Sequence, residues 1–159
     1  MPRKKTTSLQ REVAPDRRYN SQLVQRLINR VMRDGKKTTA ERAVYEAMQI
    51  AAEKLKSDNP LEVLERAMNN IKPHLETRSR RVGGANFQVP FEVHGQRQLH
   101  LTMMWFVAAA RAKKGMSISN RIANELVDAY NNTGTSVKKK EDTHRMAEAN
   151  RAFAHFARF

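Results

Sequence analysis

The sequence has no cysteine. Disulfides, thiol nucleophiles and thiolate zinc sites are thereby excluded, which accords with a reducing compartment. The longest apolar stretch, residues 103–110, is far too short to cross a bilayer. Arg3, Lys4 and Lys5 stand near the start, but no apolar run follows them. Neither a secretory signal nor a transit peptide is therefore expected, and a cytoplasmic, membrane-free protein is. Of the five histidines, His74, His94, His100, His144 and His155, no two stand four residues apart around a glutamate, as a zincin helix requires. The chain also lacks a nucleophile elbow, a Walker-type glycine loop and a dinucleotide fingerprint. Gly83 and Gly84 read as a turn because no strand-to-helix junction surrounds them. The carboxylates lie mostly isolated on helix faces beside basic residues and read as solvated charge, not as a catalytic pair. The expectation is a protein that is not an enzyme and takes no metal, no cofactor and no small-molecule substrate.

What the chain has in excess is positive charge. Thirty Lys and Arg oppose 16 Asp and Glu, for a formal charge of +14 and a pI near 10.6. That is far more than solubility asks of 159 residues, and a polyanion is the natural counterweight. The excess is uneven. Residues 1–40 carry 11 basic and 3 acidic groups, residues 41–76 carry 5 and 7, and residues 77–159 carry 14 and 6. The middle segment is expected to face away from the polyanion.

Apolar residues make up 40% of the chain but aromatics only 6%, with a single Trp105, which calls for a helical core of Leu, Ile, Val, Met and Ala. Residues 1–159 read as one domain in which 1–18 form a basic extension, flexible when free because little apolar surface offsets its ordering entropy. Leu23, Val24, Leu27, Ile28, Val31 and Met32 recur at helical spacing, with Arg26, Arg30 and Arg33 on another flank and Gly35 as a stop. Thr38 and Glu41 have capping-box spacing and open a second helix along Ala40, Ala43, Val44, Ala47, Met48, Ala51 and Leu55. Asn59, Pro60 and Glu62 start a third, which buries Leu61, Leu64, Ala67, Met68 and Ile71 and ends at Pro73.

The period then changes from helical to alternating. Phe87, Val89, Phe91 and Val93 alternate with polar residues behind a polar run and the turn at residues 82–85, which predicts a two-stranded antiparallel hairpin projecting as an arm. A fourth helix of about four turns carries Leu99, Leu101, Met104, Trp105 and Ala108. A fifth, capped by Ser117 or Ser119, carries Ile118, Ile122, Leu126 and Tyr130. After a loop at 131–136, a last helix from about Lys139 sets Met146, Ala149, Phe153 and Phe156 on one side. The predicted fold is mainly α, about six helices in a bundle-like core with the hairpin arm.

Basic residues gather at five places expected to be exposed. These are Arg3, Lys4 and Lys5 in a tail that also holds Arg11; Arg33, Lys36 and Lys37 in a turn; Arg78, Arg80 and Arg81 on the hairpin; Arg111, Lys113 and Lys114 in a loop; and Lys138, Lys139 and Lys140 at a helix start. Cations at a helix N-terminus oppose its macrodipole, a conflict that a bound phosphate relieves, as do Glu141 and Asp142 just beyond. One such cluster is ordinarily a solvated face, whereas five on one small domain point to nucleic acid. Aromatic stacking platforms are sparse, Tyr19 and Phe87 being the only candidates, so recognition of folded RNA by shape and phosphate is favoured. An Arg-rich ribbon also suits a DNA minor groove, so an architectural DNA-binding protein is the alternative.

Three blocks carry a resemblance. The first runs Pro15-Asp16, Tyr19-Asn20-Ser21, Leu27-Ile28-Asn29 and Met32-Arg33-Asp34-Gly35-Lys36-Lys37. The second is the unbroken stretch 78–90, which opens Arg78-Ser79-Arg80-Arg81-Val82-Gly83-Gly84-Ala85. The third is 138–156, which opens Lys138-Lys139-Lys140-Glu141-Asp142. In this order, across nearly the whole chain, they resemble the bacterial type of small-subunit ribosomal protein seven. The final Phe156-Ala157-Arg158-Phe159 departs from the family's aromatic-Arg-aromatic finish by an inserted alanine. The resemblance implies a helical core with a projecting hairpin, bound to the 3′ major domain of 16S rRNA, where the family nucleates assembly of the small-subunit head. It implies that the hairpin and the C-terminal helix lie near the exit-site tRNA and the path of departing mRNA, with Arg80, Arg81, Val82, Gly83, Gly84, Ala85, Arg145 and Arg151 closest. Neighbouring proteins of the head and platform complete the implied partners. The blocks fit a cytoplasmic and an organellar ribosome alike.

Overall fold

The computed structural model describes residues 13–158. Helix α1, Gln22–Val31, turns Val24, Leu27, Ile28 and Val31 inward, and the chain reverses through Asp34 and Gly35 at φ +54° and +73°. Helix α2, Lys37–Leu55, buries a stripe of Ala40, Ala43, Val44, Ala47, Met48 and Ala51. Four alanines in that stripe let neighbouring helices come close, and α2 lies against α1, α3 and α5. The capping box expected at Thr38 does not form. The helix begins two residues earlier, with Lys36 as its cap and no side-chain bond, directly after the reversal at Asp34 and Gly35. Helix α3, Pro60–Ile71, starts as expected, with Asn59 Oδ1 accepting from the N–H groups of Leu61 and Glu62 at 3.1 and 3.5 Å.

Strands β1, Leu75–Val82, and β2, Ala85–Glu92, pair antiparallel in the register Leu75↔Glu92 to Val82↔Ala85. The two-residue turn between them, Gly83 and Gly84, holds φ +57° and +92°. Two positive φ values in sequence belong to the turn whose twist matches a hairpin, and only glycine adopts them without strain.

Helix α4, Gly95–Ala112, is longer than expected. It buries Leu101, Met103, Trp105, Phe106, Val107 and Ala110, while Ala108, expected inside, is exposed. Leu101 and Trp105 are buried as expected, but burial reaches further round the helix because α4 is embedded on more than one side, against α1, α5 and α6. Helix α5, Ile118–Tyr130, is capped by Ser117, whose Oγ accepts from Asn120 N–H at 3.3 Å. Helix α6, Gly134–Ala149, begins inside the segment expected to be loop. The residues that read as turn formers join α5 to α6: Thr133 stands at the cap position of α6 without a side-chain bond to it, and its N–H and Oγ1 both donate back to the Asp128 carbonyl of α5, at 2.8 and 2.9 Å. Gly134 sits at φ +91°, where an added Cβ would lie 2.8 Å from Asp128 Cβ, so only glycine closes this corner. The last segment, Arg151–Arg158, is a 3-10 helix and not a continuation of α6. Met146, expected on the apolar side of one long helix, is therefore 46% exposed. The buried side chains of α1 through α6 form one continuous apolar cluster, at whose centre Phe106, Leu27, Met48, Leu64 and Leu126 are fully enclosed.

The segment leading into α1 is fixed by Asp16, 3% exposed. Its carboxylate accepts from the N–H groups of Arg18, Tyr19 and Ser21 at 2.9 to 3.0 Å and from the Tyr45 hydroxyl at 3.1 Å. Burial alone would raise its pKa, but these donors outweigh it and hold the group below its ordinary 3.8. The described end of the expected flexible extension is thus anchored to α2. Asp16→Ala leaves those donors without a partner and should destabilise the protein by about 2 kcal/mol, read as a lower urea midpoint. Arg17→Ala, exposed next door, should stay within about 0.5 kcal/mol of the parent.

Candidate nucleic-acid interface

Two of the five basic clusters meet in space. The α1–α2 turn and the end of α4 border one cleft of about 350 Å³, with Arg33, Lys36, Arg111 and Arg121 around it. Arg111 is half-buried, and its Nη2 donates to the Val31 carbonyl at 3.1 Å and to that of Arg30 at 3.5 Å. A guanidinium there completes the unpaired C-terminal carbonyls of α1 and opposes the negative end of its dipole. Burial first, and then the like charges of Arg33 and Arg30, press the Arg111 pKa down. Arg33 and Lys36 are exposed and make no ion pair within the described residues. Lys37 is held at 3.8 Å by Glu41 one turn on.

A second groove continues along α1, where Arg26 and Arg30 face Gln96, Leu99 and His100 of α4. Eighteen residues of α4 span about 27 Å, so one helix runs from the hairpin base to the cleft. Arg121 escaped the sequence reading because it stands alone in the chain and joins the other cations only after the helices pack, and Arg97 because its partner, Glu76, lies on the hairpin. Arg26 and Arg30 were legible as a basic flank but not as part of the interface.

On the hairpin, strand alternation divides the arginines. Arg78 and Arg80 share a face with Phe87, Val89 and Phe91, whereas Arg81 faces the other way beside Ser79, Gln88 and Asn86. Glu76, 6% exposed, holds the base. It pairs with Arg78, and its Oε2 accepts from Arg97 Nε and Nη2 at 3.2 and 3.0 Å. Burial would raise the Glu76 pKa, but the Arg97 and Arg78 bonds and charges hold it below its ordinary 4.5. Arg80 lies over the Phe91 ring at 5.4 Å and donates to the Phe156 carbonyl at 3.2 Å. Phe87, a candidate stacking platform, is instead covered by Phe153 and Phe156 of the 3-10 helix, with ring centroids 5.1 and 5.4 Å away. The arm is thus backed on one face, and Arg81 with Gly83, Gly84 and Ala85 is exposed at the tip, Val82 half-buried beside them.

Other predicted ligands serve the interior. Lys113, expected to be exposed, reaches Asp128 Oδ2 at 2.8 Å and Glu125 Oε2 at 2.9 Å. Burial would lower its pKa, and the two carboxylates raise it instead. Glu125 is fully buried. Its Oε1 accepts from Ser136 N–H and Oγ at 3.0 and 2.6 Å, while Oε2 has no well-aligned hydrogen bond and is balanced by the Lys113 charge. The expectation that the carboxylates are solvated is thus wrong for Asp16, Glu76 and Glu125. Lys140 donates to the Asn70 carbonyl at 2.6 Å, at the C-terminus of α3. Lys138 and Lys139 are exposed and stand in the second turn of α6, where the dipole conflict expected of a helix start has faded. Lys114 is exposed, and Arg145 and Arg151 are each 80% exposed with weak pairs to Asp142 and Glu148. Arg3, Lys4, Lys5 and Arg11 lie outside the described residues. Among the described residues no cluster of His, Asp and Glu is arranged to hold a metal ion, and no helix is long and apolar enough to cross a membrane.

The acids near the exposed cations, Asp34 at the cleft and Glu41, Asp142 and Glu148 on helix faces, are separate from one another, and an array of fixed positive charge of this kind can neutralise an anion. Comparison with known proteins points the same way. A family model described as ribosomal protein S7p/S5e matches residues 2–151. The small ribosomal subunit protein uS7 of Kosmotoga olearia is 58% identical over 149 residues, 94% of this chain and 96% of its own. That of Chloroflexus aggregans is 54% identical over 158 residues, 99% of both, and that of Thermotoga petrophila is 59% identical over 146, covering 92% and 94%.

The geometry separates structural from exposed cations in a testable way. Lys113→Ala strands the buried Glu125 carboxylate and should cost about 3 to 5 kcal/mol in denaturant unfolding, whereas Lys114→Ala should change stability by less than about 0.5 kcal/mol. His144 Nε2 accepts the His74 N–H at 3.0 Å and must be unprotonated to do so. Burial, then Lys140 and His74, hold its pKa below 6.5. The unfolded chain therefore takes up the proton first, so stability is present above pH 6.5 and declines as pH falls toward the lower folded value. His144→Gln, which keeps an acceptor, should flatten that part of the decline, measured as urea midpoints between about pH 7.5 and about pH 5.5.

Proposed function

The chain belongs to the ribosomal protein S7p/S5e family, structural and non-enzymatic proteins of the small ribosomal subunit, and from that membership we propose that it binds the 3′ major domain of 16S rRNA and nucleates assembly of the head. The carrying observation is the convergence of Arg33, Lys36, Arg111 and Arg121 from separate parts of the chain on one cleft. Arg81, Lys114, Lys138 and Lys139, all exposed, extend the set, with Arg3, Lys4, Lys5 and Arg11 of the leading segment. These groups neutralise phosphates that RNA folding crowds together and release the counterions condensed there.

Arg78, Lys113 and Lys140 act one step removed: by holding Glu76, Glu125 and the end of α3, they fix the hairpin, the α4–α5 loop and α6 in the geometry the RNA meets. The hairpin tip at Arg81, Val82, Gly83, Gly84 and Ala85, together with Arg80, Arg145 and Arg151, lies near the exit-site tRNA and the departing mRNA. Proteins of the head and platform border it in a cytoplasmic ribosome of the bacterial type. Residues 1–159 act in this as one domain.

With about six phosphate contacts, affinity for a transcribed 3′ major domain should fall ~10³-fold between about 50 and about 200 mM salt. Arg81→Ala should reduce the slope of log affinity against log salt by about one. Filter binding checks both. Equal binding to duplex DNA at the same salt would overturn the reading.

A further inference from the structure

The cleft between the α1–α2 turn and the start of α5 is more than a row of cations. Its floor is apolar, made by the edges of the buried Val31 and Ala40 and by the half-buried Ile118. A site that only tracks a phosphate backbone has no use for such a floor. Four cations border it against one carboxylate, Asp34. Asp34, the exposed turn residue at φ +54°, is an acceptor on the rim that an N–H donor of a base can meet.

The cations are also held for use. Arg111 is pinned by the carbonyls of α1, and Arg121 Nε donates to the Met116 carbonyl at 2.7 Å. Both guanidinium planes are thereby set before any ligand arrives. The crowding of Arg111 by Arg33 and Arg30 is a repulsion that an anion between them relieves. At about 350 Å³ the cleft stands at the lower end of the range for small-molecule sites: it suits one flat ring and its phosphate and excludes a duplex.

We propose that this cleft receives a single unpaired nucleotide extruded from the folded ribosomal RNA, its base resting on Val31, Ala40 and Ile118 and its phosphate held by Arg33, Arg111 and Arg121. The inference rests on the rRNA-binding reading above and adds a specific feature to it. Unstacked bases of loops and bulges are the parts of RNA that proteins read individually. A single nucleotide seated here would fix the register of the protein on an RNA surface otherwise recognised by charge alone.

Thr39, exposed at the cleft mouth, allows the seat to be closed without touching a cation. Thr39→Trp should weaken binding of the full chain to transcribed small-subunit rRNA roughly tenfold at fixed salt. Gln49→Trp, which puts the same bulk on an exposed position of the same helix, should bind as the parent does. In the parent complex, ultraviolet crosslinking should join one nucleotide, unpaired by chemical probing, to peptides from both the α1–α2 turn and the start of α5. The inference falls if the parent binds rRNA tightly while Thr39→Trp binds equally well, or if that region crosslinks only to paired nucleotides. A parent that does not bind the transcript at all overturns the rRNA-binding reading, and the nucleotide seat with it.

Discussion

Taking a carboxylate out of water costs several kcal/mol unless donors and counter-charges replace the lost hydration. Among the described residues three carboxylates meet that condition, each at a joint. Asp16 gathers three backbone N–H groups and the Tyr45 hydroxyl and ties the approach to α1 onto α2. Glu76 draws in Arg78 from its own strand and Arg97 from α4 and sets the hairpin base. Glu125 binds the first turn of α6 through Ser136 and the α4–α5 loop through Lys113. The hairpin arm and the α4–α5 loop, which carry exposed cations, leave from the second and third of these joints.

A second constraint acts at helix ends. The last carbonyls of a helix have no partner within it, and here the partners come from neighbouring helices. Arg111 serves α1, Lys140 serves α3, and Asn70 of α3 donates to the Ala129 and Tyr130 carbonyls of α5 at 2.9 and 3.1 Å. Cations that would otherwise be free to meet RNA are used to hold the body together. One of them, Arg111, does both: its guanidinium is fixed by α1 and still lines the cleft.

Much of this was readable from the chain. Helical spacing located α1 to α3 and their buried stripes, because the core there is built from one face of each helix. Asn59 with Pro60 marked a cap that forms as written, and two adjacent glycines between alternating segments marked the hairpin turn. The expectations failed where distant residues intervene. Ala108 is exposed and Phe106 enclosed because α4 is packed on several sides. The segment 131–136 has loop composition, yet its second half is the first turn of α6, because Thr133 bonds back to the Asp128 carbonyl of α5 and Ser136 is held by the buried Glu125. Met146 is exposed because the helix carrying it ends before the phenylalanines, which fold onto Phe87 as a separate 3-10 turn.

By itself the sequence determined a helical protein with one hairpin arm and a charge that demands a polyanion, since composition and periodicity are properties of single segments. Only the tertiary structure decided which cations face outward. Lys113 and Lys114 are adjacent in the chain, yet one meets Glu125 and Asp128 while the other meets solvent. Arg33 and Arg121, far apart in sequence, border the same cleft. A side chain's electrostatic role depends on what lies within a few ångströms of it, and in a folded chain those neighbours come from elsewhere in the sequence.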